Sequence, residues 1–269
     1  MSELFSELTR LHINFPCRRT TDFPTGALPT GCGVGEVRGY NHSMNLQAQR
    51  AQRVYRILRT AYGKPRWEPK PPVDELVSTI LSQNTNDSNR DKAFSGLRLR
   101  YPAWEDVLDA PVGDILAAIR PAGLGPQKAP RIRAVIRRIM EERGRIELDF
   151  LRELKPQQAR AWLIELPGVG PKTAAIVMLF ALGMSAFPVD THVHRVTGRL
   201  GLRPERMTAD SAHAHLAGLF KPAQYAGAHL HLIRLGREIC HARRPECPRC
   251  PLRRTCPYPR KHSRSGRKP

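Results

Sequence analysis

The sequence predicts an all-α protein. Apolar residues recur at helical spacing in almost every segment between residues 45 and 239. Alternating apolar–polar runs, the mark of half-buried strands, are missing. Prolines, glycines and Asx residues stand where the helical runs begin and end.

Residues 45–62 place Val54, Ile57, Leu58 and Tyr62 on one helical face. Pro71 and Pro72 open a helix over 73–82 carrying Leu76, Val77, Ile80 and Leu81. The polar stretch Ser82-Gln83-Asn84-Thr85-Asn86-Asp87 breaks the pattern, and the next helix runs to about Leu99. A short helix fits 113–119, and a basic one fits 127–143 with Ile132, Val135, Ile136 and Met140 inward. Further helices fit 156–165, 171–182, 191–200, 208–219 and 222–239. Residues 1–43 are rich in Gly, Pro, Thr and Arg, lack a sustained period, and read as a flexible extension. A clean pattern starts just after Met44, which makes Met44 a candidate start. Residues 258–269 read as a basic disordered tail, either a solvated terminus or a non-specific phosphate tether.

The 269 residues suffice for one large domain or two modest ones. A net charge of +20 points to a polyanionic partner. Part of that charge reflects a bias toward arginine, since 35 Arg stand against 9 Lys. No apolar run of about 18 residues occurs, so no membrane helix is expected. The N-terminus MSELFSELTR lacks a basic-then-apolar signal pattern, and a cytoplasmic location beside the nucleoid is expected.

Leu166-Pro-Gly-Val-Gly-Pro-Lys-Thr-Ala-Ala175 joins two helices. Pro171 suits a first helical position, where its missing N–H costs nothing. Gly168 and Gly170 permit positive φ and leave the backbone uncovered. Exposed N–H groups beside a helix N-terminus make a phosphate seat. The run TAAIVMLFAL is apolar all round and belongs in the centre, with Gly183 closing it. Lys172 lies in its first turn, where a cation opposes the helix dipole and desolvation favours the free amine. Two readings of Lys172 stay open on these residues alone: an amine nucleophile, or a surface lysine on a phosphate.

Asp190, in Phe187-Pro-Val-Asp-Thr-His-Val-His194, stands where a helix begins. It fits an N-cap and also a carboxylate facing a site, and one side chain can do both. His192 and His194 read as structural.

Cys240, Cys247, Cys250 and Cys256 follow the spacing C-x6-C-x2-C-x5-C. Without a secretory signal, so tight a cluster reads as a metal site. Zinc ribbons present two C-x2-C pairs, and this cluster has one, so spacing favours iron–sulfur. Arg243, Arg244, Arg249, Arg253 and Arg254 stud the loop and suit phosphate contact.

At these residues the chain resembles the endonuclease III family of helix-hairpin-helix glycosylases. LPGVGPKTA is similar to that family's hairpin, VDTH to its aspartate segment, and the cysteine spacing to its [4Fe-4S] loop. The resemblance spans roughly residues 45–257, with the motifs in the family's order. It implies a six-helix barrel lobe over 66–184 and a cluster lobe joining 44–65 to 185–257. It assigns catalysis to Lys172 and Asp190, and a [4Fe-4S] cluster to the four cysteines. It implies that damaged double-stranded DNA is bound by a monomer, that an oxidised pyrimidine is flipped out and excised, and that the strand is cut 3′ to the lesion through a lysine Schiff base. The mismatched-adenine glycosylases lack lysine at the position of Lys172, so its presence favours the lyase. Ala122-Gly-Leu-Gly-Pro-Gln-Lys-Ala129 resembles the loop whose leucine wedges into DNA, here Leu124. SQNTND resembles the segment that fills the gap left by the flipped base. The usual form is closer to SAQATD; Asn84 aligns with its glutamine, and Gln83 lies one position earlier. Gly168, Gly170, Arg243 and Arg244 complete the expected DNA contacts. Action on another lesion, or mainly on abasic sites, is the alternative within the family. The rival from another class is a non-catalytic DNA-binding protein with a structural zinc.

Overall fold

The computed structural model describes residues 35–259, with side chains from Asn45 onward. Residues 1–34 and 260–269, which hold most of the expected extension and tail, lie outside the described residues. The site lies wholly within the unit that begins at Tyr40.

Every regular element described is helical. α1 (Gly35–Tyr62) begins ten residues before its expected start at 45. α2 (Pro72–Leu81) buries Val73, Leu76, Val77, Ile80 and Leu81, an i, i+3, i+4 stripe. Each such side chain contributes roughly 1.5–3 kcal/mol by leaving water. α3 (Asp87–Arg100) starts where the Asn86 side chain accepts from Asn89 N at 2.9 Å. The short α4 (Asp106–Asp109) and α5 (Val112–Ala118) follow, then α6 (Gly125–Arg143), which stops at Gly144 with φ +68°. α7 (Pro156–Glu165) and α8 (Pro171–Ile176) flank the hairpin. The α8 run continues through a π-helical turn, Val177–Ala181, in place of the expected unbroken α-helix to 182. α9 (Thr191–Arg199), α10 (Ala209–Ala217) and α11 (Tyr225–Glu238) complete the set.

Two hydrophobic clusters organise these helices. One gathers buried residues from Val73 to Leu182. The second joins Ala51, Val54 and Leu58 of α1 to residues from Phe187 to Leu252. The chain passes from one to the other at Gly183, a left-handed residue with φ +67°, as expected of a helix stop. Thr173, Ala174, Ala175, Val177 and Met178 are buried, so the helix behind the hairpin is central. Among the described residues no helix is long and apolar enough to cross a membrane.

Candidate active site and nucleic-acid interface

The hairpin turns through Gly168, whose φ is +73° and whose Cα face is covered by the Arg131 guanidinium. A side chain there would be strained and would collide with Arg131. Gly170 departs from the expectation of positive φ. It lies at φ −99° and ψ 179° as the N-cap of α8, a conformation open to any residue. Its missing side chain instead leaves space, with nothing within 4 Å of the position a Cβ would take. Pro171 occupies the first turn, and half-buried Lys172 follows it.

Asp190 caps α9: its Oδ1 accepts from Val193 N at 2.7 Å. Lys172 and Asp190 line the same cavity of about 410 Å³, together with Trp67, Glu75, Phe180 and His229. Trp67 and Phe180 meet edge to face with centroids 6.0 Å apart. Phe180 belongs to the π-helical turn, a feature that often marks functional sites.

Buried histidines hold the approach to Asp190. His213 Nδ1 pairs with Phe187 O at 2.9 Å, and His229 Nδ1 with Pro188 O at 3.0 Å. Burial drives the His229 pKa down to about 4, against the opposing pull of Asp190. A neutral ring therefore donates to Pro188 O through Nδ1–H. Burial likewise lowers the His213 pKa. Sequence reasoning missed both residues, because a histidine inside an apolar helical run carries no motif. His192 and His194, which the sequence reads as structural, are both engaged by neighbouring groups. His192 Nδ1 meets Arg195 Nη2 at 3.1 Å, and His194 Nε2 meets Met207 O at 2.9 Å.

A second feature without a sequence signal spans the cleft. Arg237 of α11 grips Asp87 of α3 with two bonds of 2.6 and 3.3 Å. Burial alone would raise the Asp87 pKa, but hydrogen bonding and charge from Arg237 hold it low.

Three non-glycine residues among those described have left-handed backbone: Asn84 at φ 53°, Leu124 at φ 50° and Arg244 at φ 49°. All three belong to the expected DNA contacts. Leu124 is exposed at 43%, so it does not fold back onto Ile119 or Ile132 as a loop anchor would. Asn84 is also exposed. Gln83 differs, since its Oε1 accepts from Arg131 Nη1 at 2.9 Å. That arginine, lying on Gly168, ties the polar loop to the hairpin. Arg243 and Arg244 are exposed, whereas Arg249 is committed to Glu246 and to Glu238 O.

Cys240, Cys247, Cys250 and Cys256 are free thiols lining one small cavity with Val196, Leu200, Leu235 and Ile239. Arg199 braces the loop, donating to Cys240 Sγ at 3.3 Å and to His241 O at 2.6 Å. Arg195 donates to Cys240 O at 3.1 Å. The helix capped by Asp190 therefore also anchors the cysteine loop. Among the described residues no three His, Cys, Asp or Glu side chains are grouped to hold a metal ion.

With this geometry in view, known proteins place the chain. Residues 77–222 match the model of the HhH-GPD superfamily of base excision DNA repair proteins. Endonuclease III of Thermotoga maritima is 34% identical over 193 residues, covering 72% of this chain and 86% of that protein. An Arabidopsis thaliana relative of the DNA glycosylase class is 41% identical over 149 residues, and the chain spans about half its length, 51%. A solved non-covalent endonuclease III–DNA complex superimposes with a TM-score of 0.70 at 27% identity, covering 81% of this chain and 99% of that one. The chain belongs to the endonuclease III family of HhH-GPD base excision DNA repair proteins.

Proposed function

We propose that this protein is a monomeric bifunctional glycosylase/lyase that excises oxidised pyrimidines from damaged duplex DNA and cuts the strand 3′ to the lesion. The observation that carries this is the sharing of one cavity by Lys172 and Asp190, with room for an extruded base. The Lys172 amine attacks the sugar C1′ while Asp190 stabilises the positive charge developing there. The C1′–N bond breaks, and the base leaves with its electron pair and takes up a proton. Ring opening gives a Schiff base between C1′ and Lys172. Loss of a C2′ proton then expels the 3′ phosphate by β-elimination, and water releases the enzyme. A Schiff base is reducible, so borohydride should trap a protein–DNA adduct on lesion-bearing duplex. Lys172→Gln should abolish trapping while lesion binding persists; wild-type trapping by that variant would reassign the nucleophile.

Asn84, rather than Gln83, fills the gap left by the extruded nucleotide, because its side chain is exposed and Gln83 is tied to Arg131. Leu124 is the wedge. Gly168 and Gly170 seat a phosphate, and Arg243 and Arg244 supply further backbone contacts.

Cys240, Cys247, Cys250 and Cys256 would hold a [4Fe-4S] cluster. They line one apolar cavity, and a spacing with a single C-x2-C pair favours an iron–sulfur cluster over zinc. When bound, such a cluster supplies a rigid staple for the Arg-bearing loop and no chemistry on the base. Purified protein should be yellow-brown, with about four irons per chain; stoichiometric zinc in a colourless, active preparation would refute this. Cys250→Ser should impair folding and DNA binding together.

A further inference from the structure

Lys128 is a buried cation with no acidic partner among the described residues. Its side chain is 1% exposed, and burial lowers its pKa. The ammonium donates to Leu81 O at 2.8 Å and to Ala122 O at 2.9 Å. Each carbonyl ends a helical element. Leu81 is the last residue of α2, and Ala122 is the last of a 3-10 turn, Arg120–Ala122. Were α2 to continue, Thr85 N would bond to Leu81 O; it bonds to Ser82 O at 3.3 Å instead. Lys128 therefore caps two helix ends with one charge.

The residues released by those two ends are Asn84 and Leu124. Asn84 lies three positions after Leu81, and Leu124 two positions after Ala122. Both are exposed and left-handed. The Lys128 backbone grips the second loop as well, because Lys128 N donates to Leu124 O at 3.0 Å. Strained, exposed loops persist only where surrounding structure over-determines them. Here that structure converges on one buried ammonium.

We infer that Lys128 is a positioning residue that fixes the two probing loops relative to each other, so that Asn84 and Leu124 meet the base stack as one unit. This rests on the proposed role of those two residues. The role is separable from general stability. Loosened loops slow extrusion from a fully paired duplex, but matter little when a bulge has already unstacked the lesion.

The test measures single-turnover excision from paired and bulged lesion duplexes by wild type, Lys128→Met, Lys128→Gln and Leu124→Gly. Lys128→Met keeps the stem and loses both bonds. It should lose about tenfold or more on paired DNA, equivalent to ~1.4 kcal/mol in the barrier, and stay near wild type on the bulge. Lys128→Gln can donate to one carbonyl and should fall between. A fluorescent base analogue opposite the lesion should report slower extrusion in the same order. Equal losses on both duplexes, or no loss on either, overturn the inference. Should Lys128→Met fail to fold, the paired-to-bulged ratio of Lys128→Gln decides alone. If Leu124→Gly shows no preference between the duplexes, the wedge reading fails and the inference with it.

Discussion

The wall of the cleft and the exposed loops expected to meet DNA are built by opposite means. On the wall, Lys172 and Asp190 sit in ordinary helix starts, and the segment leading to Asp190 is buried and pinned by neutral histidines. By contrast, Asn84, Leu124 and Arg244 are exposed and left-handed, and of these Asn84 lines a cavity with Lys172 and Asp190. Reacting groups must be fixed before DNA arrives, which low-energy buried hydrogen bonds accomplish. A probe of the base stack must instead project out of the core. An apolar side chain stays out only when the backbone holds it there, and that costs strain.

The largest effects should come from the wall. Asp190 is a cap in the structure and a catalytic carboxylate in the proposed reaction, and two substitutions separate these duties. Asp190→Asn keeps a capping oxygen and loses the charge, so excision should fall about 10²–10⁴-fold with an unchanged melting temperature. Asp190→Ala should add a stability loss of about 1 kcal/mol. Single-turnover rates and thermal melts measure both. Retained excision in Asp190→Asn would reduce the residue to a cap.

The next effect concerns the pins. His229 has a folded pKa of about 4, below the ordinary 6.5, so the unfolded chain binds more protons between those values. The stability it contributes is complete above pH 6.5 and is lost as pH falls toward 4. The loss approaches roughly 3 kcal/mol, at about 1.4 kcal/mol per pH unit. His192, His213 and His231 are lowered as well and add in the same direction. His229→Asn retains a donor for Pro188 O and cannot titrate. Urea melts at pH 7 and pH 5 should show a shallower acid loss in this variant, and an unchanged slope would mean that the ring is protonated in the fold.

The same contrast explains what could be read from the sequence. Helices α2, α6 and α7 were legible because each buries a periodic apolar face, and Asp190 because caps have fixed chemistry. Leu124 was legible as an apolar residue between glycines. The buried brace beneath it was not, since Lys128 looks like any lysine on a basic helix until the fold closes over it. Arg237 and Asp87 pair across 150 positions, a contact that local pattern cannot reveal. The π-helical turn had no marker either, because a run apolar on every side reads equally well as unbroken α-helix.

The smallest effect is the most discriminating, because its two readouts move in different directions. Leu124 stands at φ 50° and ψ 30°, where glycine is at ease and leucine is not. Its side chain is 43% exposed, so Leu124→Gly removes little packing. Relief of strain, on the order of 1 kcal/mol, opposes the greater freedom that glycine gives the unfolded chain. The melting temperature should therefore hold or rise slightly. Excision from paired duplexes should fall, because unstacking a base costs a few kcal/mol that an inserted apolar group partly offsets. Excision from a bulge should change far less. Parallel measurement of melting and of both excision rates sets a packing residue, whose loss lowers all three, against a strained probe, whose loss lowers one.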